Sequence, residues 1–189
     1  ISYNKASNVL ITTHNGYALR YPIDEVPIIG TRGSGVKAIN LKDDYVISGN
    51  VFGDNAEFIS VVTDKGTGKR VRISDIEITS RARKGVLIIR EVKTNPHKLL
   101  KTFVTDNKRI FGLKDGNNID FVKASEFTIM DRYSTGTSIH KGKLHDAFEL
   151  ATPTKEEQEV KEEIQATKQD VESNEYRQLS LLEIDDEMN

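Results

Sequence analysis

The stretch GTRGSGVKAI, residues 30–39, sets three glycines and a serine beside Arg32 and Lys37, half of the wording of a phosphate loop. A nucleotide-binding loop needs G-x-x-x-x-G-K-[ST] between a strand and a helix, so that the helix N-terminus meets the phosphate. Here no Lys-Ser or Lys-Thr follows, and no helical periodicity begins. The stretch instead recurs. Gly35 in TRGSGV, Gly85 in RARKGV and Gly136 in RYSTGT are 50 and 51 residues apart. A second set of turn glycines keeps step: Gly16 in THNGYAL, Gly66 in TDKGTGK and Gly116 in LKDGNNI are 50 and 50 apart. Two landmarks in phase define a repeat, and a fixed period of this length decides the architecture before any single element does.

Each copy reads as short strands. VLITT and YALRYPI flank His14-Asn15-Gly16, and Asn-Gly is a strong hairpin signal because both turn positions favour positive φ. VKAINL and YVISGNVF follow, broken at Lys42-Asp43-Asp44. Copy two continues with FISVVT, KRVRIS, GVLIIREV and KLLKTFVT; copy three with RIFGL, IDFVKA, TSIHKG and LHDAFEL. About four strands per repeat make an all-β, propeller-like array of about three four-stranded blades near 7–55, 56–107 and 108–150. WD40 and kelch repeats both want a tryptophan, and the chain contains none.

Charge divides the chain. Residues 1–150 carry 23 Lys and Arg against 17 Asp and Glu, whereas 151–189 carry 4 against 12. The expected organisation is a basic β domain over 1–150 and an acidic, disordered tail over 151–189. No cysteine is present, so disulfides and thiolate metal sites are excluded. The apolar runs are too short for a membrane-spanning helix. The start ISYNKASNVL has neither a signal pattern nor an initiator Met, and the chain is read as a piece of a longer protein.

The cations gather where the copies turn: Arg20, Arg32 and Lys37 in the first; Lys69, Arg70, Arg72, Arg81, Arg83 and Lys84 in the second; Arg132, Lys141 and Lys143 in the third. Stacked repeats bring equivalent positions to one rim. A curved basic rim suits a curved polyanion bound through its phosphates. The competing reading is a protein-interaction propeller whose basic rim is incidental.

The segment NGYALRYPIDEVPIIGTRGSGVKAINLKDDYVISGN resembles a blade of the C-terminal domain of bacterial type IIA topoisomerase A subunits, more the topoisomerase IV type than the gyrase type. The likeness is fullest over 8–52, fair over 56–107 and weakest over 108–150. It implies a β-pinwheel whose blades exchange strands with their neighbours, which binds and bends duplex DNA without sequence preference and presents a transported segment. It puts Arg32, Gly33, Gly35 and Lys37 on one DNA-facing turn, Arg81, Arg83 and Lys84 on the next, and Arg132 with Gly136 on the third. Gyrase A subunits also carry a Gln-Arg-Arg-Gly-Gly-Lys-Gly box, absent here, which leaves the gyrase domain as the alternative. The whole enzyme would need a catalytic core, an ATPase subunit, magnesium and ATP, in the cytoplasm at the nucleoid; this piece would need no cofactor.

No catalytic or metal residue is assigned. His14, His97, His140 and His145 show no cage spacing, and His140 and His145 are read as surface groups. Asp24-Glu25 and Asp43-Asp44 read as turn residues. The resemblance places the DNA-cleaving tyrosine in another domain. In the tail, Gln178-Leu179-Ser180-Leu181-Leu182 resembles the short peptides by which bacterial replication proteins bind the sliding clamp, with Leu182 where Phe is commoner. Docking on another surface, or no role, are the alternatives. The acidic tail is also expected to compete with phosphates for the basic rim.

Overall fold

The computed structural model describes residues 7–105 and 108–150. These fall in one compact unit, Ile1–Leu150. The acidic segment from Ala151 onward and its Gln178–Leu182 motif lie outside the described residues.

Eleven strands form three antiparallel sheets among the described residues. Blade one is built on β1 (Asn8–Thr13), β2 (Tyr17–Pro22) and β3 (Val46–Phe52). Blade two uses β4 (Phe58–Thr63), β5 (Thr67–Arg72), β6 (Val86–Leu87) and β7 (Leu99–Thr105). Blade three uses β8 (Ile110–Asp115), β9 (Asn118–Lys123), β10 (Thr137–Ser138) and β11 (Asp146–Glu149). The sheet orders are β3-β1-β2-β6, β10-β5-β4-β7 and β11-β8-β9. Thus β6, which belongs to the second repeat, completes the first sheet, and β10 of the third repeat completes the second. The blades exchange strands.

This is the exchange that the resemblance implies; what differs from the strand reading is the number and length of the strands that each repeat forms. VKAINL forms no strand, and GVLIIREV and TSIHKG contribute only two residues each, Val86–Leu87 and Thr137–Ser138. The reason is pairing. Val86 and Leu87 face Ala18 and Tyr17, and Thr137 and Ser138 face Gly68 and Thr67. The corresponding residues of the first repeat meet no strand among the described residues, so the same pattern stays irregular there.

A short 3-10 turn after β2, β5 and β9 gives the repeats a common origin. The N–H groups of Ile23, Ile73 and Ala124 donate to Ser7, Glu57 and Arg109 carbonyls at 3.0, 2.9 and 2.8 Å. Counted from these turns, Arg20, Arg70 and Phe121 are equivalent, each opposite Leu10, Ser60 and Gly112 on the neighbouring strand. One buried cluster, Val9, Ile11, Leu19, Tyr21, Ile23 and Ile39, lies within blade one, and two lie between blades. Leu10, Ala18 and Phe52 pack with Ile59, Val61, Val71 and Ile76 of blade two. Val62 and Phe103 pack with Phe111, Leu113, Phe127 and Leu144 of blade three. With both faces covered, β1 is buried along its whole length, whereas β9 is largely exposed.

Polar ties reinforce each junction. Arg20 Nε donates to Asn8 Oδ1 at 2.9 Å, and its guanidinium reaches the Ile73 carbonyl of blade two at 3.0 Å. Arg70 repeats the tie one blade on, donating from Nε to the Phe127 carbonyl at 3.0 Å. Arg132 of blade three reaches back to the Leu87 carbonyl at 2.7 Å. Lys69 is only 1 % exposed. Its ammonium donates to the Asp131, Arg132 and Ser134 carbonyls at 3.1, 2.8 and 3.0 Å and meets Ser134 Oγ at 3.0 Å. Burial pulls its pKa down from 10.5 to about 8, with nearby Asp131 raising it and Arg132 lowering it further.

Glycines allow the exchanged strands to approach. A Cβ on Gly85 would lie 2.3 Å from the Ala18 carbonyl oxygen, and one on Gly136 would lie 2.8 Å from that of Gly68. Gly35 has nearly the same φ, +82 against +84 for Gly85, but nothing within 4 Å of its Cβ position. In urea denaturation, Gly35→Ala should therefore cost only the left-handed penalty, about 1–2 kcal/mol, and Gly85→Ala at least roughly twice as much. Equal losses would contradict the strand-exchange account. The Lys69 ε-amine should titrate near pH 8 by NMR, where an exposed lysine titrates near 10.4. Between those two values the unfolded chain binds more protons, so this group makes stability rise with pH. That rise should vanish in Lys69→Met; a Lys69 that titrates like an exposed lysine would refute the burial.

Candidate nucleic-acid interface

The equivalent turns of the three blades run over residues 31–37, 81–87 and 132–138, each ending around a glycine at left-handed φ, Gly35, Gly85 and Gly136. In the first, Gly33 N–H closes onto the Gly30 carbonyl at 2.9 Å, and Arg32 and Lys37 stand exposed. Lys37 Nζ donates to Asn40 Oδ1 at 2.8 Å, which steadies it without burying its charge. In the second, Arg83 and Lys84 are exposed. Arg83 Nε donates to Ser80 Oγ at 3.2 Å, and Lys84 Nζ sits 4.0 Å from the centre of the Tyr17 ring. Arg72 is exposed at the end of β5, with its guanidinium 5.9 Å from the Phe58 ring. In the third blade, Lys141 and Lys143 are exposed beyond β10.

The other candidate cations serve the blade junctions. Arg20, Lys69, Arg70 and Arg132 make the ties described above. Arg81 belongs with them: its Nε donates to the Glu25 carbonyl at 3.1 Å, its guanidinium reaches the Lys37 carbonyl, and its backbone N–H meets Glu25 Oε2 at 2.5 Å. It thereby holds the turn that carries Arg32 and Lys37. An arginine whose donors are taken by carbonyls positions a cationic turn; the exposed group beside it is the one that can meet a phosphate.

A second row of exposed cations escaped the sequence reading in part. Lys42 and Lys143 each stand seven residues after the turn glycine of their blade, and Arg90 and Lys141 five residues after theirs. The period that located the glycines would have found Lys42 and Arg90 as well. Lys42, Lys84 and Lys98 also line a cavity of about 340 Å³ with Tyr17, Leu87 and His97. Burial, with a smaller opposing pull from Asp64, lowers the His97 pKa, and Asp43 and Glu91 line the same cavity as the lysines.

His140 is not the surface group expected. Its side chain is 10 % exposed and lies between Asp120 Oδ2, at 2.7 Å from Nδ1, and Asp115 Oδ2, at 3.4 Å from Nε2. Its backbone N–H meanwhile donates to the Gly66 carbonyl at 3.1 Å, so this residue joins blade three to the hairpin of blade two. His145 remains exposed. Among the described residues no cluster of three or more His, Cys, Asp or Glu is arranged to hold a metal. Asp44 acts as a turn residue, accepting the Asn15 and Tyr45 N–H groups at 3.0 and 2.8 Å.

The family model for the DNA gyrase C-terminal domain, a β-propeller, matches residues 7–50 and 57–106. The A subunit of DNA topoisomerase 4 from Bacillus subtilis is 38% identical over 136 residues, 71% of this chain and 17% of that protein. The protein of the same name from Streptococcus pneumoniae is 34% identical over 142 residues, 75% of this chain and again 17% of that protein. The chain thus spans a small part of these relatives. The solved C-terminal domain of DNA topoisomerase IV superposes with a TM-score of 0.73 at 33% identity, over 78% of this chain and 47% of that one. A DNA gyrase A C-terminal domain superposes with a TM-score of 0.67 at 15% identity, over 78% of this chain and 52% of that one, a likeness of fold alone. Exchanged strands, period and sequence agree: the chain belongs to the C-terminal β-pinwheel family of type IIA topoisomerase A subunits, with those of topoisomerase IV among its relatives.

Proposed function

We propose that this domain binds duplex DNA without sequence preference through its exposed turn cations and bends it, as an accessory domain of a topoisomerase IV A subunit that helps present the transported segment. The carrying observation is the sorting of the cations. One set is tied to carbonyls at the blade junctions, and the other, Arg32, Lys37, Arg83, Lys84, Lys141 and Lys143, is exposed on successive blades. Side chains of the exposed set can neutralise phosphates and release counterions, a sequence-independent contact. The catalytic core, the ATPase subunit, magnesium and ATP belong to the proposed whole enzyme, acting on the nucleoid in the cytoplasm. Within this piece no residue is assigned to chemistry and no cofactor is needed. Among the described residues no helix is long and apolar enough to cross a membrane.

The two sets of cations should behave differently. Reversing Arg32, Arg83 and Lys84 to Glu should weaken binding to unrelated duplexes about equally and lower the salt slope by roughly 0.9 for each phosphate that is no longer neutralised. Thermal stability should hardly change. Replacing Arg70 by Met should instead lower the melting temperature and leave the salt slope of the remaining folded protein alone. Fluorescence titrations against salt distinguish these, and an unchanged slope in the folded triple variant would refute the DNA reading.

Bending adds a second test. Smooth bending of 20–30 base pairs by 40–90° costs on the order of 1–6 kcal/mol, which extra contacts along a rim must offset. End-labelled duplexes should therefore shorten on binding, by energy transfer between the labels. An unchanged end-to-end distance would mean that the domain holds straight DNA.

A further inference from the structure

The exposed turns of successive repeats are bonded to one another through their backbones, and the same two bonds recur. Arg81 and Arg132 each stand eight residues after the first residue of their 3-10 turn. Each sends a guanidinium N–H back to the preceding repeat, to the carbonyls of the equivalent residues Lys37 and Leu87. A second bond runs the other way: Asn40 N–H donates to the Arg83 carbonyl at 2.9 Å, and its equivalent Arg90 N–H donates to the Ser134 carbonyl at 3.1 Å.

Several of these bonds end on the residues that carry exposed charge. Lys37 and Arg83 accept through their carbonyls, Arg90 donates through its N–H, and the side chains of all three are exposed. Asn40 serves both turns, since its N–H holds Arg83 and its Oδ1 accepts from Lys37 Nζ at 2.8 Å. A phosphate-binding side chain has a defined place only as far as its backbone has one. The rungs therefore fix the separation between the cations of one repeat and those of the next.

The later turn of each pair is braced differently. Between the second and third repeats, the Lys69 ammonium holds the Asp131, Arg132 and Ser134 carbonyls. Its equivalent one repeat earlier is Leu19, which has no side-chain donor. There Glu25 Oε2 accepts Arg81 N–H instead, and Ala82 N–H donates to the Ala38 carbonyl at 3.0 Å. Ala82 does so at φ +61, a left-handed conformation that a residue with a Cβ keeps only where its surroundings impose it. Backbone strain held beside a ligand-facing turn is a mark of pre-organisation.

We infer that this lock sets the path of bound DNA: it holds the cations of successive repeats at fixed separations before DNA arrives and so imposes the bend, with Arg81 and Arg132 as its positioning residues. The inference rests on the DNA-binding reading above and adds what determines the curvature. Turns that are already ordered lose little freedom on binding, and the free energy so conserved can offset the elastic cost of bending the duplex. Loose turns would follow straight DNA instead.

Arg81→Lys separates positioning from phosphate contact, because lysine keeps the charge but has no planar fork to span the Glu25 and Lys37 carbonyls. In the free protein, amide hydrogen exchange at Ala82 and Asn40 should quicken in this variant, while Ile59 and Val61 of β4 exchange as slowly as in the parent. On a duplex of ~30 base pairs labelled at both ends, the parent should shorten the label distance; with Arg81→Lys or Arg132→Lys that distance should return most of the way to its value in free DNA and affinity should fall about tenfold, at an unchanged salt slope. Variants that keep the parent's bend and affinity would overturn the inference, since charge alone would then suffice at these places. Unaltered exchange at Ala82 and Asn40 would overturn the lock itself. A parent that leaves the duplex straight would overturn the proposed bending, and this inference with it.

Discussion

The fold depends on a close backbone approach, in which a two-residue strand from one repeat lies on the edge of the repeat before it. Gly85 and Gly136 make that approach possible, since any side chain there would strike the carbonyl of Ala18 or Gly68. Once the strand is laid down, the preceding 3-10 turn delivers Ile76 or Phe127 onto a small residue of the neighbouring blade, and the apolar core closes between blades. Blade one also has a cluster of its own, Val9, Ile11, Leu19, Tyr21, Ile23 and Ile39, but the two other clusters span neighbouring blades. Stability therefore combines what a blade holds by itself with what it shares with its neighbour, as in other stacked arrays.

The same arrangement explains why the basic residues divide into two roles. A junction of exchanged strands brings carbonyls of the 3-10 turns and of the segments after them to the meeting of two blades, where they can accept further hydrogen bonds. Arginine satisfies several at once through its fork of N–H groups, and Lys69 does so with a rotating ammonium. Next to these ties, the turn tips are lifted clear of the core, so the charge on Arg32, Arg83 and Lys84 remains in water. Tied and exposed cations thus alternate along the chain only a few residues apart.

Much of the plan was legible in the sequence. The glycines set the period and the hairpins, and alternation marked most strands, because hairpin turns and strand patterning are local properties. Strand exchange was expected only through the family resemblance and could not be read from the residues themselves. The strands Val86–Leu87 and Thr137–Ser138 are two residues long, and their partners lie some seventy residues away, so no window of sequence contains the pair. For the same reason Arg20, Lys69, Arg70, Arg81 and Arg132 looked like members of a charged rim: composition shows a cation, but only the three-dimensional neighbours show whether carbonyls already hold it. Lys42 and Arg90 went unnoticed although the period pointed to them, while Lys98 in the cavity follows no period and was beyond its reach.

The central claim is that the exposed turns, and not the blade junctions, meet DNA. Backbone amide shifts on titration with a short duplex of arbitrary sequence test it most directly. The account predicts perturbations concentrated at Arg32, Gly33, Gly35, Lys37, Arg83 and Lys84 that fade with added salt, while the amides of Arg20 and Arg70 hold their positions. Shifts centred on the junction residues, or the same shifts at high salt, would contradict it.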